Sequence, residues 1–344
     1  MAVNPQTIRL RQFLIEMVKR HPSDLVAVTA KQFGTTRQAV HRHLKELCDS
    51  GVLRANGRTK SRTYELCVIS EFRTELPLSG LEEDVPWLRD IKPRLQEVPQ
   101  NVVEICSYGF TEMLNNAIDH SGGETVVVGL SQTAESVTLD VHDAGVGIFR
   151  KIQATLGLHD EREAILQLSK GKLTTDPERH TGEGVFFTSR MVDLFSIRSG
   201  TILFTHVRLE RDWRIEEVGS ETSGTAVRMT VSLRSSLRPK DLFDQYANPD
   251  ELTFSKTHVP IRLAQSGSDN LVSRSQARRV LLRCERFSEV FLDFTGVEFI
   301  GQAFADEVFR VFQNTHPEIT LLAIHANGDV AGMIHRARSV AKNP

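Results

Sequence analysis

Three polar side chains, Glu112, Asn116 and Asp119, interrupt an apolar helical pattern in the segment PQNVVEICSYGFTEMLNNAIDHSGG. The apolar residues recur every three or four positions, which predicts one helix from about 100 to 120. Glu112 and Asn116 are four residues apart and therefore project from one face, with Asp119 near it. Polar groups on a half-buried helix must be paired or must hold a ligand. We predict a ligand-binding face here, with Asn115 on the other side and His120 as a structural hydrogen bonder.

A second group of polar residues follows two predicted strands, ETVVVGLSQ and ESVTLDVHDAGVGIF, which alternate as half-buried strands do. Asp143 stands at the end of the second strand, and Gly145 and Gly147 follow it. A carboxylate in that position is placed to accept a hydrogen bond from an exocyclic amino group. Glycines allow the backbone to approach a flat ligand closely. The segment therefore predicts a contact with a flat ligand that carries an amino group.

Two further glycine motifs occur downstream. A long polar stretch leads to RHTGEGVFFTSRMVDLFSI, in which Gly182 and Gly184 open a predicted helix. The free amides at a helix start form a phosphate site. Gly224 and Thr225 stand at the start of the last predicted strand of this region, GTAVRMTVSL. Each motif alone is common, so the prediction depends on their order along the chain.

That order resembles the GHKL ATP-binding fold shared by gyrase-type topoisomerases, heat-shock protein 90 and histidine kinases. The resemblance covers roughly residues 100–234 and implies a two-layer α/β sandwich that binds ATP with Mg²⁺. It implies that Asn116 binds Mg²⁺ through its amide oxygen, as suits a hard cation. It also implies that Asp143 binds the adenine amino group beside Thr225. Glu112 would orient and deprotonate the attacking water if hydrolysis occurs. The other implied contacts are backbone ones, along the nucleotide at Gly145 and Gly147 and at the β- and γ-phosphates at Gly182 and Gly184.

The stretch between the D-x-G-x-G and G-x-G motifs is expected to act as a lid. Nucleotide and Mg²⁺ would order residues 148–184, and Lys170, Lys172 and Arg179 are candidate phosphate contacts that the family pattern does not fix. ATP binding without turnover stays an alternative, because Glu112 alone does not separate the two cases.

A histidine autokinase is not expected. Histidine kinases carry a phosphoacceptor histidine on a helical hairpin before the nucleotide domain, and this sequence has no histidine between His43 and His120.

The first fifth of the chain is basic. Residues 1–70 hold 12 Lys/Arg against 5 Asp/Glu, a balance of +7, and the remaining 30 against 39 give −9, which leaves the net charge of −2. Such an asymmetry favours a nucleic-acid-binding head. The segments TIRLRQFLIEMVKR, SDLVAVTAKQF and TTRQAVHRHLKELCDSG predict three helices, and VLRANGRTKSRTYEL predicts a strand, a turn at Asn56-Gly57 and a second strand.

Three helices and a basic hairpin resemble the winged helix-turn-helix family of bacterial transcription regulators. In that family the third helix enters the major groove and the wing touches the DNA backbone. The resemblance implies that double-stranded DNA is a partner; the alternative is a protein-interaction module with a solvated basic face. The third helix would present Thr36, Arg37, Gln38, His41 and Arg42, and the wing would present Arg54, Arg58, Lys60 and Arg62.

Residues 71–99 are predicted to connect the head to the next domain. Prolines at 77, 86, 93 and 99 exclude one long helix. Within the connector, Trp87, Leu88, Ile91 and Leu95 fit a short amphipathic helix that docks on the next domain.

Residues 250–344 alternate predicted helices and strands, which indicates a small α/β domain. The strand EVFLDFTGV resembles that of the STAS and STAS-like domains of anti-sigma antagonist proteins, through Val290, Asp293, Phe294 and Val297. In those domains an Asp-Ser pair follows, and a GHKL-type kinase phosphorylates the serine. Here residues 300–303 read IGQA, without Ser or Thr. A docking or dimerisation module is therefore favoured over a phosphorylation switch.

The sequence as a whole predicts a multidomain regulator with a winged helix at 1–70, a GHKL-type domain at 100–234 and a STAS-like domain at 250–344. No apolar run approaches the roughly 20 residues that span a bilayer, and no secretory signal pattern begins the chain, so the cytoplasm is expected. Four scattered cysteines argue against a zinc site or a disulfide framework. The leading function is an ATP-responsive transcription regulator. The alternatives are a serine/threonine protein kinase that acts on a separate protein and a scaffold that binds ATP structurally; a homodimer stays open.

Overall fold

The computed structural model of the chain describes residues 4–58, 61–173, 181–248, 253–265 and 270–340. Two residues singled out above, Lys60 and Arg179, lie outside these ranges.

The head (residues 4–66) contains three helices and one antiparallel hairpin. Thr36 caps the third helix by accepting a hydrogen bond from the amide of Ala39 at 3.2 Å. Gly34 ends the second helix in the left-handed conformation at φ 58°. The head has a hydrophobic cluster of its own, separate from the rest of the chain. Its elements are α1 (Pro5–Met17), α2 (Leu25–Phe33), α3 (Arg37–Asp49), β1 (Leu53–Asn56) and β2 (Thr63–Leu66).

The middle unit (residues 70–232) is built on a five-stranded antiparallel sheet in the order β3-β4-β5-β7-β6. The strands are β3 (Ser70–Pro77), β4 (Thr125–Gln132), β5 (Ser136–Asp143), β6 (Leu194–Val207) and β7 (Asp212–Ser232). The edge strand β3 falls in the segment predicted as a connector. Its outward residues Glu71, Arg73 and Glu75 are exposed, and an edge strand with one polar face gives a weak hydrophobic signal.

Helices cover one face of this sheet and complete two layers. α5 (Gln100–His120) has the predicted bounds, and its apolar residues Ile105, Phe110 and Leu114 are fully buried. The other helices are α4 (Asp84–Pro86), which continues as a π-helical turn at Trp87–Ile91, then α6 (Ile148–Leu156), α7 (Glu161–Lys170) and α8 (Gly184–Met191). The docking segment predicted before α5 is present as this π-helical turn, with Trp87 and Ile91 buried but Leu88 54% exposed.

The C-terminal unit (residues 239–340) has a three-stranded parallel sheet in the order β10-β9-β8. Its elements are α9 (Pro239–Tyr246), β8 (Lys256–Pro260), α10 (Arg274–Leu281), β9 (Glu289–Asp293), α11 (Gln302–Asp306), α12 (Gln313–Thr315), β10 (Thr320–Ile324) and α13 (Gly328–Val340). The strand and helix predicted at β9 and α11 occur in that order.

One hydrophobic cluster runs through the middle and C-terminal units, from Leu78 to Ala337. α7 lies between them, and residues 164–170 of this helix are all buried. The two units therefore share a core, whereas the head does not belong to it. None of the helices in the described ranges is long and apolar enough to cross a membrane.

Candidate functional site

A cavity of about 320 Å³ lies between α5, the end of β5, the facing part of β7 around Thr225, and the start of α8. This volume is at the lower end of the range of small-molecule sites. Of the motif residues that the family resemblance assigns to the nucleotide, all but Gly145 line it. The polar and glycine residues of the lining include Glu112, Asn115, Asn116, His120, Asp143, Gly147, Lys151, Gly182, Glu183, Gly184 and Thr225.

The face of α5 that meets the cavity contains the predicted Glu112 and Asn116, but its neighbouring residues differ from the predicted ones. The cavity follows the row of residues Glu112, Asn116 and His120, which are four positions apart along the helix. This row winds away from Asp119, which is exposed and does not line the cavity. Asn115 lines it, although it was assigned to the other side. The periodicity thus located the helix and its polar side. It placed Asp119 beside the cavity in place of Asn115.

Asp143 and Thr225 stand opposite each other in the register of β5 and β7. Asp143 is 5% exposed, and its Oδ1 accepts hydrogen bonds from the amides of Gly145 at 2.9 Å and Thr225 at 3.3 Å. Burial raises the pKa of Asp143, and the two amide hydrogen bonds oppose that rise. Thr225 Oγ1 accepts a hydrogen bond from the amide of Ile148 at 3.0 Å. The carboxylate is therefore held rigidly at the cavity wall, in a position to accept a further hydrogen bond.

The glycines around Asp143 are required chiefly by the protein itself. A Cβ on Gly145 would lie 2.0 Å from the carbonyl oxygen of Ser121. A Cβ on Gly224, which has φ +69°, would lie 2.0 Å from the carbonyl oxygen of Asp143. The packing of its loop against the end of α5 thus requires glycine at 145, and Gly145 does not line the cavity; its contact with the nucleotide stays a prediction. Gly147 alone of the D-x-G-x-G pair faces the cavity, with φ +94°.

Glu112 lies against the start of α8. A Cβ on Gly184 would be 2.2 Å from Glu112 Oε2, so a side chain there would have to displace the carboxylate. The helix dipole favours negative charge at an N-terminus, so the start of α8 stabilises the Glu112 carboxylate. Burial raises the pKa of Glu183. Burial also raises the pKa of Tyr108, and the charges of Glu112 and Glu183 add to that rise. Two carboxylates therefore stand beside the amides predicted to bind phosphates.

This charge distribution tests whether the cavity suits a nucleotide with a metal ion. Among the described lining residues, Lys151 is the one lysine or arginine, and its Nζ donates to the carbonyl oxygen of His120 at 2.6 Å. A polyphosphate beside Glu112 and Glu183 needs further positive charge. In the described ranges no group of three or more His, Cys, Asp or Glu side chains forms a metal site. Asn116 fits one ligand position of a Mg²⁺ ion that takes its other ligands from phosphate and water.

The lysines predicted to contact phosphates in the lid do not face the cavity. Lys170 is fully buried, and its Nζ donates to the carbonyl oxygen of Leu282 at 2.7 Å. Lys172 Nζ donates to the carbonyl oxygen of Arg286 at 2.9 Å. Both lysines bind the C-terminal unit, so the predicted role is wrong for Lys170 and unsupported for Lys172. Since α7 belongs to the shared core, a lid cannot include all of 148–184.

The predicted DNA-binding residues lie on one side of the head's third helix and on its hairpin. Arg37, Gln38, His41 and Arg42 are all exposed on α3. On the hairpin Arg54, Arg58 and Arg62 are exposed as well, and Arg54 is 3.4 Å from Glu65. Thr36 is occupied as the cap of α3.

Two parts of the chain match known domain families. Residues 83–210 match the histidine kinase-like ATPase domain, and residues 276–331 match a STAS-like domain of unknown function. The first match contains Glu112, Asn116, Asp143 and the start of α8 and ends before Thr225. No curated protein matches the chain. The chain thus contains a histidine kinase-like ATPase domain and a STAS-like domain, and neither match covers the head.

Proposed function

We propose that the chain is a regulator that binds ATP with Mg²⁺ in the cavity between α5, β5, β7 and α8, and that nucleotide binding alters how its head engages double-stranded DNA. The observation that carries the proposal is the convergence of the ordered motifs on one cavity inside the matched ATPase domain. Four segments distant in sequence supply Asn116, Asp143, Gly184 and Thr225 to its wall.

In this proposal the adenine and the phosphates bind at opposite ends of the cavity. At one end Asp143 accepts a hydrogen bond from the adenine amino group, with Thr225 beside it. At the other end the amides of Gly182 and Gly184 bind phosphates at the helix start. Asn116 is the protein ligand for Mg²⁺, which offsets the negative charge of the phosphates and polarises them. Glu112 is close enough to this end to hold a water molecule and take its proton.

Coupling to the head is supported by how the head is attached. Lys19 Nζ is 2.8 Å from Glu135 Oε2 in the turn between β4 and β5, and Arg234 pairs with Glu16. Lys19 and Arg234 are partly exposed, and exposed ion pairs contribute only about 0–1 kcal/mol each. Because the head also has its own core, its orientation on the body can change at small cost in free energy.

The site assignment is tested by changing Asp143→Asn in the full-length protein. Asparagine keeps the shape, and its oxygen can still accept from both backbone amides, but it then turns an NH₂ group toward the adenine amino group. We expect ATP affinity to fall by about ten- to a hundredfold, measured by titration of a fluorescent ATP analogue. Asp140→Asn on the same strand, which loses the pairing with Arg228 outside the cavity, is the matched control. Unchanged ATP affinity in Asp143→Asn would refute the site.

The regulatory part of the proposal needs a separate measurement. DNA affinity and oligomeric state are compared with and without ATP and Mg²⁺, at fixed salt because DNA binding depends strongly on ionic strength. If nucleotide changes neither quantity, the regulator proposal is wrong even if ATP binds.

The match to a STAS-like domain favours a second candidate, a serine/threonine protein kinase with a separate substrate protein. The chain itself lacks the acceptor serine, and Gly301 explains why its segment cannot simply regain one there. A Cβ at Gly301 would lie 2.8 Å from Val272 Cα, so a side chain collides with backbone. Transfer of labelled phosphate to a second protein, in place of release of free phosphate, would identify the kinase.

A further inference from the structure

The wall of the cavity and the C-terminal unit meet at the end of α7. Leu168 and Leu173 line the cavity. Between them, Lys170 and Gly171 turn to the C-terminal unit, where Lys170 is 0% exposed. A shift of this short segment in the C-terminal unit should therefore also move residues of the cavity wall.

Lys170 closes the end of a helix in the other unit. Its Nζ donates to the carbonyl oxygens of Leu282 at 2.7 Å and Arg279 at 3.3 Å, and to Gln167 Oε1 at 3.1 Å. The two carbonyls belong to the last turn of α10 and to its C-cap residue, Leu282, where helix carbonyls lack intrahelical partners and the helix dipole favours a cation. Burial lowers the pKa of Lys170 to about 8, and Arg283 adds to this effect. The ammonium is still mostly charged at neutral pH and is held by three oxygens.

Arg283 makes the reverse connection. Its Nη2 donates to the carbonyl oxygen of Gly171 at 2.8 Å, and its Nη1 donates to that of Gln167 at 3.2 Å. These carbonyls lie in and after the last turn of α7. Arg283 is 4% exposed and adopts φ 68°, a conformation that costs a non-glycine residue about 1–2 kcal/mol. The two hydrogen bonds from the guanidinium to α7 and the residue after it offset this strain. The ends of α7 and α10 thus cap each other across the boundary.

The capped end of α7 leads directly to the predicted phosphate site. Two residues after Gly171, the amide of Leu173 donates to the carbonyl oxygen of Gly182 at 3.2 Å. Gly182 and Gly184 line the cavity at the start of α8. α8 is tied to the same segment, since Arg190 Nη2 donates to the carbonyl oxygen of Ser169 at 3.0 Å.

We propose that Lys170 and Arg283 are positioning residues for phosphate binding: by capping α7 and α10 reciprocally, they fix the segment that holds the Gly182 and Gly184 amides in place. The C-terminal unit is then part of the nucleotide site, although it contributes no residue to the described cavity wall. The inference rests on the proposed function, because it assumes that ATP occupies the cavity. It distinguishes the two ends of that cavity, since Asp143 and Thr225 lie on strands that neither cap touches.

The experiment compares Lys170→Met and Arg283→Met with the unchanged full-length protein. Each substitution keeps most of the side-chain length and removes the donor. ATP and adenosine affinities are measured by calorimetry in the presence of Mg²⁺. We expect ATP affinity to fall at least tenfold, while adenosine affinity stays within about twofold, because adenosine does not use the phosphate end. Arg283→Lys, which can still donate to one carbonyl, should recover part of the ATP affinity.

Arg278→Met is the matched control, because Arg278 is on the same helix but binds Glu307 within the C-terminal unit. Thermal unfolding separates misfolding from mispositioning. Equal losses of ATP and adenosine affinity, or unchanged ATP affinity in both methionine variants, would overturn the inference. If a methionine variant does not fold, the same comparison is made on Arg283→Lys, and equal affinity changes for the two ligands there would refute it. Failure of the unchanged protein to bind ATP would instead refute the proposed function.

Discussion

Glu112 has two opposite effects on the predicted phosphate end of the cavity. Its carboxylate lies against the first turn of α8, beside the amides assigned to phosphates. A carboxylate there can take a proton from water, as the sequence resemblance implies, but it also repels phosphate. The two effects act on different quantities, turnover and affinity, so one substitution can separate them.

Glu112→Gln removes the charge and the base but keeps the shape. We expect ATP hydrolysis, where present, to fall by about a hundredfold or more, because general base catalysis typically contributes that much. ATP affinity should stay the same or rise, because a negative charge beside the phosphates is lost. Phosphate release and nucleotide titration measure the two effects. Glu104→Gln, on an exposed position of the same helix, is the control. Full turnover in Glu112→Gln would exclude the residue as the base.

Single residues also show where sequence reasoning stops. Asp143, which lines the cavity, was predicted at the site because its D-x-G-x-G motif stands in order with the other motifs along the chain. Lys170 was misassigned because nothing in its local sequence says that the end of α10, more than 100 positions away, needs a cation. Gly145 was also assigned from its motif alone. Position 145 does require glycine, but the atom that excludes a side chain is the carbonyl oxygen of Ser121 and not a ligand atom.

At the scale of elements, strong periodicity gave reliable predictions. α5 has the predicted bounds because its apolar residues repeat over more than five turns. The edge strand β3 was missed, because one of its faces is polar and the prolines at and after its end suggested a connector. The lid was extended too far, because α7 is buried by contacts with the C-terminal unit that local sequence does not reveal.

The hairpin of the head gives a prediction at this scale, because it is the part expected to touch the DNA backbone. Arg58→Ala combined with Arg62→Ala should lower the affinity for double-stranded DNA and reduce the salt dependence of binding. Each lost phosphate contact lowers the slope of log affinity against log salt by about 0.9. An electrophoretic mobility assay at several salt concentrations measures this. Lys31→Ala, an exposed cation on α2, is the control. Equal DNA binding by the double variant and the control would favour the protein-interaction alternative for the head.

The stability of the whole molecule should depend on pH through His206. The ring stacks on Trp213 at 3.7 Å, and Nδ1 donates to the carbonyl oxygen of Ser189 at 2.7 Å. Burial lowers the pKa of His206 from 6.5 to about 4, and Arg190, His258 and Arg208 add to this effect. Between these two values the unfolded chain binds more protons than the folded chain, so stability rises from pH 4 to pH 6.5 and is then fully present.

His206→Gln should therefore flatten the pH dependence of unfolding between pH 4 and pH 6.5. The contribution that disappears is roughly 3 kcal/mol at most, at 1.36 kcal/mol per pKa unit. Denaturant unfolding followed by tryptophan fluorescence at several pH values measures it. His258, whose pKa burial also lowers, should leave a smaller dependence of the same sign. His142→Gln, on a half-buried ring, is the control, and an unchanged pH profile in His206→Gln would show that other groups set the acid sensitivity.

The core that runs from Leu78 to Ala337 limits how the domains of this protein can be recombined in evolution. A domain with a core of its own can be gained, lost or exchanged between genes without leaving apolar surface behind. The head meets this condition, so relatives with a different head on the same body are physically feasible. The ATPase and STAS-like parts do not meet it, because cutting between them exposes the contact between the buried rings of Phe186 and Phe254 to water. They should therefore be inherited, duplicated and lost as one unit.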